Sequence, residues 1–140
     1  VSHFTEARIR VRYAETDQMG IVYYANYLVW MEIGRVEYCR SLGVRYREME
    51  ERDRVLLTVA ESNCRYLAPA RYDDEVIVKT WIERAHPRMV SFAYEMKNPE
   101  TNLVLANGYT KHVFCGPDLK PVKLPQSYWK EFGIETSEKD

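Results

Sequence analysis

The residue best placed to do chemistry in this chain is Asp17, in the short polar run Glu15-Thr16-Asp17-Gln18-Met19-Gly20. Directly after it, Ile21 to Tyr24 lies where a helix is expected to begin. The first N–H groups of a helix have no intrahelical acceptors, so they can receive an anion or a developing oxyanion. A carboxylate and an oxyanion-binding helix end within one short segment suit acyl transfer. The N–H groups polarise a carbonyl, and the carboxylate attacks it or activates a water. A plainer reading makes Asp17 a turn-forming or capping residue, and spacing alone favours that reading.

Little else in the sequence competes. There is no GxSxG elbow, GxGxxG loop, P-loop or HExxH helix. His3, His86 and His112 fall in three distant segments, so no metal site is expected and each reads as a surface or strand residue. Cys39, Cys64 and Cys115 are an odd count without CxxC spacing, which excludes a disulfide framework or zinc ribbon. Buried, inert thiols are expected for all three, and a reducing cytoplasm is the simplest compartment.

The elements that must position Asp17 follow from periodicity. Ala7, Ile9, Val11 and Tyr13 alternate with Arg8, Arg10 and Arg12, predicting a strand with one solvated arginine face. Tyr24 to Leu42 carries the only long helical pattern, with Leu28, Val29, Ile33, Val36, Cys39 and Leu42 on one broad face and Gly43 as a stop. Glu32 then projects into the middle of that apolar arc, where it must be paired, hydrogen-bonded or neutral, with Arg35 in reach. After a charged segment, Arg45 to Arg54, strands are expected at Val55–Leu67, around Val76–Ile82 and Val90–Met96, and at Leu103–Cys115. A short helix, Gln126 to Phe132, should close the fold. Strand, helix, then four strands joined by short connections is α+β with a mostly antiparallel sheet.

Composition agrees. The 140 residues are 46% apolar and 29% charged, as expected of one folded domain. Twenty basic residues against 21 acidic leave a net charge of −1, which argues against nucleic-acid binding. The longest apolar stretch, Gly20 to Gly34, contains Asn26 and Glu32 and is too short to span a bilayer. Aromatics make up 13% of the chain, 11 of them Tyr, which suits interfaces and pockets as well as a core.

The segment Tyr13 to Arg40 resembles the signature of the hotdog-fold thioesterases, the 4-hydroxybenzoyl-CoA thioesterase and YbgC-like group. The matching positions are Asp17, Gly20, Ile21-Val22-Tyr23-Tyr24, Asn26-Tyr27, Trp30 and Glu32. Supporting matches are Cys64 to Ala70 with Tyr72-Asp73-Asp74, Trp81-Ile82-Glu83, and Lys111 to Phe114. The resemblance implies a five-stranded antiparallel sheet wrapped around one long central helix, over a single domain 1–134 with a polar tail 135–140. It implies a homodimer or tetramer with active sites at the dimer interface, and acyl-CoA hydrolysis without metal or cofactor. Asp17 would be nucleophile or general base, and the Tyr24 backbone N–H would polarise the thioester carbonyl. Many YbgC-like members carry His where this chain has Tyr24; the 4-hydroxybenzoyl type carries Tyr. Gly20, Ile21, Val22, Tyr23, Asn26 and Glu32 would line the substrate site, and Arg84 and Arg88 are candidates for the CoA phosphates. The alternatives are a thioesterase for acyl groups on acyl carrier protein, a non-catalytic acyl- or protein-binding subunit and, last, a dehydratase, which would want a histidine on the central helix.

Overall fold

The computed structural model describes residues 3–135; most of the polar tail expected over 135–140 lies outside them. Five strands, β1 (Thr5–Arg10), β2 (Leu56–Tyr66), β3 (Glu75–His86), β4 (Met89–Asn98) and β5 (Leu103–Cys115), form one sheet in the order β1-β3-β4-β5-β2. Every neighbouring pair is antiparallel. The expected sheet around one long helix is therefore present. In β1, Thr5, Ala7 and Ile9 turn inward while Glu6, Arg8 and Arg10 stay exposed. Arg8 meets Glu75 of β3 at 2.7 Å in water, a contact worth little. The alternation ends earlier than its pattern suggests: Val11 is buried, but Tyr13 sits exposed in a 3-10 turn, Tyr13–Glu15.

The long helix, α1, runs from Asn26 to Ser41 and packs on β1, β3 and β4. Its buried face is Tyr27, Trp30, Met31, Gly34, Arg35, Tyr38 and Cys39. This corrects the face expected from the sequence. Cys39 does face the core, but Leu28, Val29 and Ile33 are 40–50% exposed and point outward. The rotation has a steric cause. A Cβ on Gly34 would lie 2.4 Å from Thr80 Oγ1 and 2.8 Å from Val78 Cγ1, so only glycine lets α1 approach β3 this closely. Large aromatic bodies on the same face then fill the concave side of the sheet. Glu32 turns outward with Leu28 and Ile33 and is exposed, so it is neither buried nor paired with Arg35. Arg35 lies on the opposite side, where its Nη1 donates to Tyr94 Oη at 3.1 Å.

The charged segment Arg45 to Arg54 hides a short helix, α2 (Tyr46–Glu51), which buries Met49. A last helix, α3 (Trp129–Phe132), follows a 3-10 turn and stops at Gly133 with φ of 74°. Cys39 and Cys115 are buried as expected, but Cys64 is only half-buried; all three are free thiols. Burial pushes the Cys39 thiol up to about 12.

Arg35 opens a polar chain across the core. Tyr94 Oη also bonds Thr110 Oγ1 at 2.5 Å, and Thr110 Oγ1 bonds His112 Nε2 at 2.8 Å. His112 is fully buried in β5. Burial, and then the Arg35 charge, push its pKa from 6.5 down to about 4. The unfolded chain therefore binds this proton more tightly than the folded one. His112's contribution is complete above pH ~6.5 and is lost as pH falls toward ~4, by at most about 3 kcal/mol. Urea unfolding of His112→Gln should show a flatter loss of stability across that window than the parent chain.

Candidate active site

Asp17 sits in a loop closed like a small hairpin. Thr16 and Val22 form an antiparallel bridge, Asp17 N–H donates to Ile21 O at 2.9 Å, and Gly20 N–H donates to Asp17 O at 2.9 Å. The reversal needs a left-handed residue, which Gly20 supplies at φ 78°. One carboxylate oxygen of Asp17 accepts Met19 N–H at 2.9 Å, an Asx turn that fixes the side chain. Asp17 thus serves the turn and still lies on the wall of a cleft of about 360 Å³.

The opposite edge of the loop leads into α1. Val22 N–H donates to Ala70 O and Tyr23 N–H to Glu15 O, both at 2.8 Å. The N–H groups of Tyr24 and Ala25 have no acceptor among the described residues. The helix proper starts at Asn26, two residues later than expected, so these two N–H groups belong to the turn in front of it. The Tyr23 carbonyl, in the same peptide as the Tyr24 N–H, accepts Asn26 N–H at 3.0 Å. The Tyr24 carbonyl, in the same peptide as the Ala25 N–H, accepts the Tyr66 hydroxyl at 3.1 Å. Each bond to a carbonyl polarises its peptide and strengthens the free N–H.

The cleft is walled by Asp17, Met19, Ile21, Val22, Tyr24 and Tyr27 on one side and by Tyr66 to Pro69 on the other. The Tyr66 ring meets Tyr24 and Tyr27 edge-on, at 6.4 and 5.1 Å between centroids. Burial, with Cys64 beside it, pushes the Tyr66 hydroxyl up to about 12, so it is a neutral donor.

Of the residues singled out from the sequence, Asp17, Ile21, Val22 and Tyr24 line this cleft, and Gly20 shapes its loop. The Tyr23 ring stands outside the lining, 4.7 Å from the Tyr24 ring. Asn26 turns its amide to Glu15 O at 2.9 Å. Glu32 is on the outer face of α1. Arg84 and Arg88 are exposed at the β3–β4 hairpin, the far end of β3 from Glu75. The nine-residue step from Glu75 to Arg84 spans on the order of 30 Å along the strand.

Two residues of the site were missed. Tyr66 is drawn in across 42 positions of sequence, and only its place at the end of a strand signals it. Glu15 is 5% exposed, a rare state for a glutamate. Burial alone would raise its pKa. Hydrogen bonds from Arg12 N–H and Trp30 Nε1–H, with the Arg12 guanidinium nearby, outweigh that and hold it below 4.5. Among the described residues no group of three or more His, Cys, Asp or Glu could hold a metal ion. No helix there is long and apolar enough to cross a membrane.

One antiparallel sheet wrapped on one long helix, with Asp17 and Tyr24 lining a single cleft at the helix entrance, is the hotdog architecture. The family model described as the thioesterase superfamily matches residues 19–105, and the chain belongs to that family: it is a thioester hydrolase. It is 39% identical to YneP of Bacillus subtilis over 127 residues, 90% of this chain and 91% of that protein. It is 32% identical to the acyl-CoA thioester hydrolase YbgC of Escherichia coli O157:H7 over 126 residues, 89% of this chain and 92% of the relative. The crystal structure of the DHNA-CoA thioesterase from Staphylococcus aureus superposes with a TM-score of 0.87 at 32% identity, covering 93% of this chain and 88% of that one.

The Asx turn of Asp17 gives a stability expectation. Asparagine can accept the same Met19 N–H, whereas alanine cannot. In urea, Asp17→Asn should unfold within about 0.5 kcal/mol of the parent, and Asp17→Ala should lose about 1 kcal/mol.

Proposed function

We propose that the chain hydrolyses acyl-CoA thioesters, with Asp17 as the nucleophile or general base and the Tyr24 N–H as the group that polarises the thioester carbonyl. One observation carries this reading: Asp17 lines the same cleft as Tyr24, whose N–H has no acceptor among the described residues. A thioester carbonyl seated at the helix entrance directs its oxygen to the Tyr24 N–H, where the developing negative charge is stabilised. In one route, an Asp17 oxygen attacks the carbonyl carbon, the C–S bond breaks, and CoA leaves as thiolate. Water then hydrolyses the mixed anhydride. In the other, Asp17 takes a proton from water as it attacks. A thiolate leaves readily, so neither route needs a strong general acid.

The names of the relatives support a CoA thioester as substrate. Gly20, Ile21, Val22, Tyr23 and Asn26 belong to the acyl side through the loop and turn they build. Arg84 and Arg88 serve the CoA phosphates only if a second protomer brings its hairpin near this cleft. Self-association into a dimer or tetramer is supported by the outward apolar stripe of α1 and by the edge position of β2, whose second side has no partner strand among the described residues. The free thiols suit a reducing cytoplasm.

The test is hydrolysis of acetyl-, octanoyl-, palmitoyl- and benzoyl-CoA, followed by release of free thiol. On the best of these, Asp17→Asn should lower kcat by about 10²–10⁴-fold with KM little changed. Rates for the variant within about threefold of wild type would remove Asp17 from the mechanism. Light scattering at micromolar concentration should give at least twice the 16.6 kDa chain mass; a clean monomer would defeat the assembly.

A further inference from the structure

We infer that Glu15 is the positioning residue of this site: its buried carboxylate and its main-chain carbonyl together set Asp17 and the Tyr24 N–H in register with each other. The inference rests on the catalytic roles proposed above for those two groups.

Glu15 receives four hydrogen bonds from three separate segments. Its Oε1 accepts Arg12 N–H at 2.8 Å, where the chain leaves β1. Its Oε2 accepts Trp30 Nε1–H at 3.0 Å, from the fully buried face of α1. Its carbonyl accepts Tyr23 N–H at 2.8 Å and the Asn26 side-chain amide at 2.9 Å. The first two bonds tie β1 to the helix. The second two tie the same residue to the turn that presents the free N–H groups.

The position of Glu15 in the loop turns this clamp into a positioning device. The Thr16–Val22 bridge closes the Asp17 loop, and the bond from Tyr23 N–H to Glu15 O is the next rung outward. Asp17 follows Glu15 by two residues, and Tyr24 follows Tyr23 by one. Whatever fixes Glu15 therefore fixes the separation of carboxylate and N–H donor. A shift of about 1 Å in such an arrangement can cost about a hundredfold in rate.

The residue type is also specified. A buried carboxylate costs stability unless its oxygens are satisfied. The Arg12 guanidinium, 3.6 Å away and 75% exposed, is too solvated to meet that cost alone. The two N–H donors meet it, one on each oxygen. Glutamine has the same length but one acceptor oxygen, so its NH2 group must face one of the two donors. An apolar side chain of similar volume would leave both converging donors without an acceptor.

The experiment compares wild type, Asp17→Asn, Glu15→Gln and Asn26→Ala, all as full chains. Hydrolysis is measured on the best of acetyl-, octanoyl-, palmitoyl- and benzoyl-CoA, and amide hydrogen exchange is followed by NMR. Glu15→Gln should lower kcat by at least about tenfold while KM stays within about threefold, and Tyr23 amide exchange should accelerate. Asn26→Ala, which removes one bond to the Glu15 carbonyl and leaves the carboxylate intact, should show a smaller loss of the same kind. It keeps the test open if Glu15→Gln does not fold. A folded Glu15→Gln whose kcat stays within about threefold of wild type, whatever its stability, would reduce Glu15 to a fold residue. So would an unfolded Glu15→Gln beside an Asn26→Ala with unchanged kcat. A fall in kcat with Tyr23 exchange unchanged would also overturn the positioning role. If Asp17→Asn turned over as fast as wild type, the catalytic reading itself would fall and take this inference with it; that result is read from a different variant.

Discussion

Helix α1 lies against β3 at Gly34 so closely that no room exists for even a methyl group against Thr80. That contact sets both the depth of the helix and its rotation. With Gly34 on the sheet, Trp30, Met31, Tyr38 and Cys39 must point into the core, and Leu28, Val29 and Ile33 must point away. The same rotation carries the Trp30 indole to Glu15 and brings the turn before α1 beside Ala70 and Tyr66. The cleft is thus a consequence of how the helix lies, and the loop that holds Asp17 is fitted to a position already fixed.

The strands were legible because half-buried antiparallel strands alternate visibly, as Val76, Val78 and Thr80 do in β3. The helix was legible in extent but not in rotation. Its outward stripe is aliphatic, while its inward face mixes aromatic residues with a glycine and an arginine. A reading that ranks Leu, Val and Ile above Tyr and Arg turns the helix the wrong way. What decides the matter is a clash between residues 34 and 80, which no local pattern carries. Helix α2 was hidden for a related reason: Tyr46–Glu51 is six residues long and turns only Tyr46 and Met49 to the core, too few for a periodic stripe to announce it.

For the site, the sequence carried the local part. Asp17, Gly20 and the run to Tyr24 are contiguous, and their turn chemistry can be read from residue types. The parts that arrive from elsewhere could not be read. Glu15 looks like one more loop acid until Trp30 meets it 15 residues later, and Tyr66 looks like a strand end until its hydroxyl reaches Tyr24. Where Arg84 and Arg88 stand relative to a cleft depends on how far β3 runs and on which copy of the chain is considered, neither of which is written in a motif.

Glu32 gains a different meaning once it is seen on the outer stripe of α1. Leu28, Val29 and Ile33 alone would make a dry, adhesive strip; a carboxylate among them keeps a hydration shell over its middle. Such a charge acts as a gatekeeper against indiscriminate sticking. It also screens what can settle there, because any body that covers the strip must offer Glu32 a hydrogen-bond donor or a cation to replace the water it displaces.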